Sequence, residues 1–310
     1  MATLRRELLR GDKATAELYL ASLEGQFVGA YESAVRALLQ RLHDPGLSEA
    51  EYTRTRQLLA QLKNDVGELN ASSSVAAKTA IAAALYYGVA RATASLNVPF
   101  RLPRDVTALS RLLTNQIVSD TLTANATMLR NAMRYVNEAQ QVALARGAVA
   151  QLSGAALVNE TLGGTALFKS LQTALAEGKL LTINGRRYDP VAYAKTLMRT
   201  RMAEAHTQAV ITTSVRLGND LVQVSAQQHR GRDNICPQYA GRVYSIGGGS
   251  PAFPRLTVAP PFHIGCYHTL TPVRESALRK SGKFNALAKL SASDRPILNM
   301  DDFREAIENA

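Results

Sequence analysis

The longest helical signal in the chain lies between residues 105 and 136. Asp105 stands where a helix cap would. Leu109, Leu112, Leu113, Ile117, Leu122, Met128, Leu129, Met133 and Val136 then form one apolar stripe. The opposite face carries Arg111, Arg130 and Arg134 and reads as an ordinary solvated face in preference to a basic face lying on nucleic acid or a partner. Residues 1–98 have the same character. Glu17-Leu18-Tyr19-Leu20 and the run from Tyr31 to Leu39 place apolar residues three and four apart, and His43-Asp44-Pro45-Gly46 is a stop. Ser48 and Glu51 have the spacing of a capping box. The helix that follows carries Leu58, Leu59, Leu62, Val66 and Leu69, and Ser72-Ser73-Ser74 is read as restarting a smaller Ala-rich helix that ends near Gly88. Asn97 to Pro103, with Pro99 and Pro103, is an extended break.

Beyond residue 178 the texture changes. Asn184-Gly185 between short β runs predicts a hairpin over 180–188 with a type I′ turn. Asp189-Pro190 starts a helix that runs to about Leu217 and is ended by Gly218. Leu221 to Ser225 reads as a strand, Arg242 to Ile246 as a turn and strand, and the segment from Phe262 leads into a last strand. Gly247-Gly248-Gly249 reads as a flexible linker, because Pro251 and Pro254 follow it and no phosphate-loop ending is present. A short basic helix around Arg274 to Lys280 precedes a polar tail. The expected fold class is α+β, with a mainly helical N-terminal two-thirds and a small C-terminal α+β module of short strands and loops. The expected segments are a helical region at 1–98, a long-helix region at 99–178, the small module at 179–275 and a tail at 276–310.

Charge and hydropathy narrow the function classes. Lys and Arg number 36 against 25 Asp and Glu, for a formal net charge of +11, and 46% of residues are hydrophobic. A core is affordable, so the chain is not a disordered polycation. No run approaches the roughly 18–20 apolar residues of a membrane span, and the first residues alternate charge with Leu too quickly for a signal peptide. A soluble intracellular or intraparticle protein is the expectation. The excess rises along the chain, at +1 over 1–98, +4 over 99–190 and +6 over 191–310. That gradient suits an anionic neighbour, nucleic acid first, or simply a solubilising surface.

Both cysteines and three of the five histidines lie between residues 226 and 273. Cys236, His263, Cys266 and His268 combine two thiolates with two imidazoles, a donor set that suits zinc. Tyr239 stands where a second Cys of a Cys-x-x-Cys pair would be. The residues leave three states open: metal ligation, a Cys236–Cys266 disulfide, or two packed free thiols with ordinary loop histidines. A nucleophilic set of Cys266, His263 and Asp233 lacks a nucleophile turn and an oxyanion loop, and no other catalytic signature is present, so no enzyme is expected.

The order of features carries a resemblance. A hairpin leads into a helix beginning Tyr193-Ala194-Lys195-Thr196-Leu197-Met198-Arg199-Thr200, with Glu204 further along it. A strand follows, then Asp233-Asn234-Ile235-Cys236-Pro237, then Gly241-Arg242-Val243-Tyr244. Pro260-Pro261-Phe262-His263-x-x-Cys266 comes last and leads into Thr269-Leu270-Thr271-Pro272. Over residues 180–275, about a third of the chain, this resembles the tailed-phage minor capsid proteins of the Mu F-like head morphogenesis family and the related phage minor capsid protein 2 family. Four positions depart from the family pattern. Arg201 stands where Glu is usual, Tyr239 where the second Cys is, Tyr267 in place of Arg, and His268 in place of a Cys that it could functionally replace as a ligand.

The resemblance implies a structural minor head protein in the interior of a phage head near the portal vertex, made in the host cytoplasm. Its implied partners are the portal protein or the major capsid protein, with no membrane. Some members of the family leave the head with the DNA. Contact with packaged double-stranded DNA would be to phosphates and without base readout, with Arg199, Arg201, Arg230, Arg232 and Arg242 as candidates. No cofactor is expected apart from the zinc just described. Two other readings are a zinc-stabilised nucleic-acid-binding module acting on its own and a phage-delivered effector enzyme.

Overall fold

The structure, a computed structural model, describes residues 13–42, 52–152, 173, 177, 179–226, 235–266 and 268–309. The fold is α+β, with helices dominating the first two-thirds and short antiparallel strands near the C-terminus. Three long helices, α1 (Lys13–Leu42), α2 (Tyr52–Ser95) and α3 (Arg104–Leu152), precede a hairpin of β1 (Leu181–Ile183) and β2 (Arg186–Tyr188). Helix α4 (Pro190–Arg216) leads into β3 (Leu221–Val224), a 3-10 turn at Cys236–Gln238, β4 (Val243–Ser245) and β5 (Leu270–Pro272). The chain closes with α5 (Glu275–Lys280), α6 (Phe284–Ala292) and α7 (Met300–Glu308). The Ser48 capping box and residues 153–172 lie outside the described residues. No helix among the described residues is long and apolar enough to cross a membrane.

The chain forms two compact units that are not consecutive segments: one holds residues 1–24, 78–115 and 196–310, the other 25–77 and 116–195. The four expected segments therefore do not coincide with these units.

In the second unit, Phe27, Tyr31, Leu62, Val66, Leu69, Ile117, Met128 and Val136 form the buried faces of α1, α2 and α3. A buried polar chain ties the three together. The Tyr31 hydroxyl donates to Asn125 Oδ1 at 2.7 Å, and Asn125 Nδ2 donates to Asn70 Oδ1 at 2.7 Å. Such a chain fixes helix register, because any slip leaves buried polar atoms unpaired. Ser72, Ser73 and Ser74 do not interrupt α2. Their hydroxyls donate back to the carbonyls of Glu68 at 3.0 Å, Leu69 at 2.6 Å and Asn70 at 2.7 Å, so the helix itself satisfies them. The hairpin is as expected. Asn184 and Gly185 take φ of 49° and 75°, and Leu181, Thr182 and Ile183 pair with Tyr188, Arg187 and Arg186.

In the first unit, the sheet has the order β4-β3-β5, antiparallel throughout. Alternation along the strands feeds two cores. Val222, Val224, Tyr244 and Leu270 pack with Val210 of α4 on one face. Leu221 and Val243 pack with Phe253, Leu278 and Leu287 on the other. The segment read as a polar tail is folded. Leu287, Leu290, Ile297 and Ala306 are buried, and Asn299 caps α7 by accepting from the amides of Asp301 and Asp302. The expected end of α2 near Gly88 is also overturned, since the helix continues to Ser95. At Gly88, α2 lies tight against α4. A Cβ there would lie 2.5 Å from the His206 carbonyl oxygen and 2.8 Å from Ala209 Cβ. The Gly247 loop is tied down rather than loose, because the Asp220 carboxylate accepts from the Gly247 amide at 2.6 Å and from the Ser245 hydroxyl.

Candidate metal centre

Cys236 opens the 3-10 turn, with Pro237 fixing φ at its second position and the amides of Tyr239 and Ala240 donating to the Cys236 carbonyl. Cys266 ends a second turn in which its amide donates to the His263 carbonyl at 3.1 Å and Gly265 takes a φ of 79°. The Gly265 amide donates to Thr200 Oγ1 of α4 at 3.2 Å, which anchors this turn to the helix. The two turns bring Cys236 Sγ and Cys266 Sγ to 3.7 Å, both buried and not joined in a disulfide.

His263 completes a set in which one ligand atom from each of Cys236, His263 and Cys266 lies within 4.8 Å of the others. His263 Nδ1 is 2.8 Å from the Ile264 carbonyl oxygen. A carbonyl only accepts, so Nδ1 carries the proton and Nε2 presents the lone pair. In that tautomer Nε2 can ligate a metal, and the ring is held by a partner of the kind that orients ligating histidines. His268 is buried, with Nδ1 3.5 Å from Cys266 Sγ, beside the three-residue set but not within it. The expected four residues are thus close in space, and three of them form the cluster.

Burial, and next the neighbouring Cys266, push the Cys236 thiol up to about 12. Tyr239, at the position of a missing fourth thiolate, stacks on Phe262 with ring centroids 4.5 Å apart and packs against Tyr244. It is part of the sheet's apolar face and offers the cluster no thiolate.

The candidate phosphate contacts fare differently. Arg199 Nε donates to Glu24 at 2.6 Å and Arg201 to Glu204 at 2.7 Å, so both already hold a carboxylate. Arg230 and Arg232 lie outside the described residues. Arg242 is a correction: it is 2% exposed and cannot reach a phosphate. Its guanidinium donates to the carbonyls of Pro237 at 3.3 Å, Ser293 at 2.9 Å and Arg295 at 2.6 Å, joining the 3-10 turn to the segment between α6 and α7. Burial lowers its affinity for its proton, partly offset by Tyr244 and Asp294.

Two further polar residues escaped the sequence reading. Asp220 braces the Gly247 loop. His206 is buried against the Tyr87 ring at 5.4 Å, neither ring nitrogen has a partner among the described residues, and burial, then Arg91, pulls it down to about 3. It is a neutral core imidazole. A helical pattern with His in line with Met202, Ala205 and Ala209 was the one available signal for that burial. No family model matches this chain, and no curated protein or solved structure does either.

Proposed function

We propose that this chain is a structural minor head protein of a tailed phage, without enzymatic activity, that docks on the portal or inner capsid and lies beside packaged double-stranded DNA. One observation carries the reading. Of the described segments behind the resemblance, residues 196–216 of α4, the Cys236-Pro237 turn, the strand after Gly241 and the His263–Cys266 turn belong to the unit that contains β3, while the hairpin and the first residues of α4 belong to the other unit. Motifs spread over residues 196–275 that share one unit support reading them together. The reading is tested by the protein content of purified particles.

Zinc is the ion this module would hold, through Cys236 Sγ, Cys266 Sγ and His263 Nε2. Zn–S bonds of about 2.3 Å at a tetrahedral angle place two sulfurs about 3.8 Å apart, against the 3.7 Å between these thiols. The ion would replace two thiol protons and staple two turns that carry little regular structure. Full-length protein purified without chelator is expected to contain one zinc per chain by elemental analysis. Cys266→Ser should lose that zinc and melt at lower temperature. Wild-type protein that neither carries zinc nor takes it up would remove the metal from the account.

A further inference from the structure

We infer that the outer side of the α5–α6 pair is a contact surface for double-stranded DNA, with Lys280, Lys283 and Lys289 as its phosphate-binding groups. The charge gradient of the chain converges here. Residues 274–289 hold five basic side chains and one acidic one, which is +4 of the +6 carried by residues 191–310, and no Asp or Glu occurs from 276 to 293. Packing fixes the inward side. Leu278 of α5 and Leu287 of α6 are buried with Leu221 and Val243 of the sheet, and Leu290 packs with Ile297 and Ala306. The Val243 amide of β4 donates to Ser291 Oγ at 2.9 Å, which ties α6 to the strand. Residues two apart on a helix point to nearly opposite sides, so burial of Leu278 and Leu287 turns Lys280 and Lys289 outward. Lys280, Lys283 and Lys289 are all exposed.

The two helices are joined tightly. Gly282, at a φ of 71°, ends α5, and the Lys283 amide donates back to the Leu278 carbonyl at 3.1 Å. The Arg279 guanidinium lies over the Phe284 ring, 3.7 Å from its centroid, and also pairs with Glu275 at 2.7 Å. These contacts set the positions of the lysines before any ligand arrives. The charge is not cancelled within the fold. Glu275 belongs to Arg279, and on the neighbouring α7 Asp301 pairs with Arg304 and Glu305 with Arg295. Among the described residues, Lys280, Lys283 and Lys289 have no carboxylate partner.

A polyanion complements such a surface, and two features favour a duplex read without regard to sequence. Lysine ammonium groups on flexible stems are point charges that meet phosphate oxygens in many geometries. Phe284 is the one aromatic residue between 274 and 292 and lies half-buried under Arg279, so no ring stands ready to stack on a splayed base. The inference supplies the DNA surface of the proposed head protein, and rests on that reading only for the claim that the DNA is the packaged genome.

The test is the salt dependence of binding between the full chain and a 30-base-pair duplex of arbitrary sequence, followed by fluorescence anisotropy. Each phosphate contact contributes about 0.9 to the slope of log K against log salt. The triple variant Lys280→Gln, Lys283→Gln and Lys289→Gln is expected to lower that slope by about 2.7 and to keep the wild-type melting temperature. Arginine at the same three positions should retain the slope. The control, Lys179→Gln, Arg216→Gln and Arg304→Gln, removes equal charge from residues already paired with Glu177, Asp105 and Asp301, and should leave the slope unchanged. An unchanged slope in the glutamine variant, an equal loss in the control, or tighter binding to a single strand of the same length would overturn the inference. So would a wild-type chain that leaves the duplex unbound while the glutamine variant drops out of particles, a result that assigns the surface to an acidic protein face. Particles that contain the chain alongside an unchanged slope would remove this surface and leave the head-protein reading standing. A reduced slope in a chain absent from particles would do the reverse.

Discussion

Arg242→Met is expected to destabilise the full-length chain by about 3 kcal/mol in a denaturant titration, one of the two largest single-residue effects in this account. Bonds from a charged donor are each worth about 1.5–3 kcal/mol, and carbonyls left without a donor in a buried setting cost a further share. Arg242 serves three carbonyls, those of Pro237, Ser293 and Arg295, and so holds two parts of the chain more than 50 residues apart. Methionine fills much of the volume and supplies none of the bonds. Arg242→Lys keeps the charge, but a compact ammonium cannot span three acceptors as a planar fork does, so an intermediate loss is expected. A loss below about 1 kcal/mol for the methionine variant would mean that the fork is dispensable.

Gly88→Ala is expected to cost about 2 kcal/mol even though alanine is the better helix former by about 1 kcal/mol. The new methyl would sit 2.5 Å from the His206 carbonyl oxygen and 2.8 Å from Ala209 Cβ, and a backbone atom cannot rotate out of its way. Gly67 offers the internal comparison. It lies in the same helix, is exposed, and a Cβ there meets nothing within 4 Å. Gly67→Ala should therefore stabilise by up to about 1 kcal/mol. Opposite signs for the two variants are the prediction, read as shifts in melting temperature. Two stabilising substitutions would contradict the close approach of α2 and α4.

Much of this architecture was legible in the residues because the signals are local. The α3 helix, the Asn184-Gly185 turn, the Asp189-Pro190 start of α4 and the Gly218 stop each depend on a few neighbours, and each appears in the structure, although Leu112 and Leu122 of the α3 stripe are exposed. The failures share another origin. Ser72-Ser73-Ser74 looks like a break, yet the hydroxyls find acceptors in the preceding turn of the same helix. Helices α6 and α7 are only nine residues each, and the apolar residues Phe284, Leu287 and Leu290 of α6 and Phe303 of α7 sit in the stretch read as a polar tail. Leu287 and Leu290, and Phe303 and Ala306, stand three apart as a helical face would have them, but the second face of the sheet that covers them is remote in sequence.

The candidate site was legible in its parts and not in its geometry. The chemistry of Cys236, His263 and Cys266 is plain from residue type, but 30 residues separate the cysteines, and only the packing of two turns beside the sheet brings the sulfurs together. His268 is buried beside the cluster rather than within it. Arg242 was the most misleading position. Between Gly241 and Val243 nothing local separates a surface arginine from a buried one, because what decides it is a set of carbonyls that arrive from beyond α6.

The central claim concerns where the protein resides. Phage particles purified on a density gradient, treated with nuclease and analysed by quantitative mass spectrometry, measure that directly. The account predicts peptides from across this chain at a copy number comparable to the portal protein and far below that of the major capsid protein. Particles with full complements of portal and capsid protein and no peptide from this chain would contradict it.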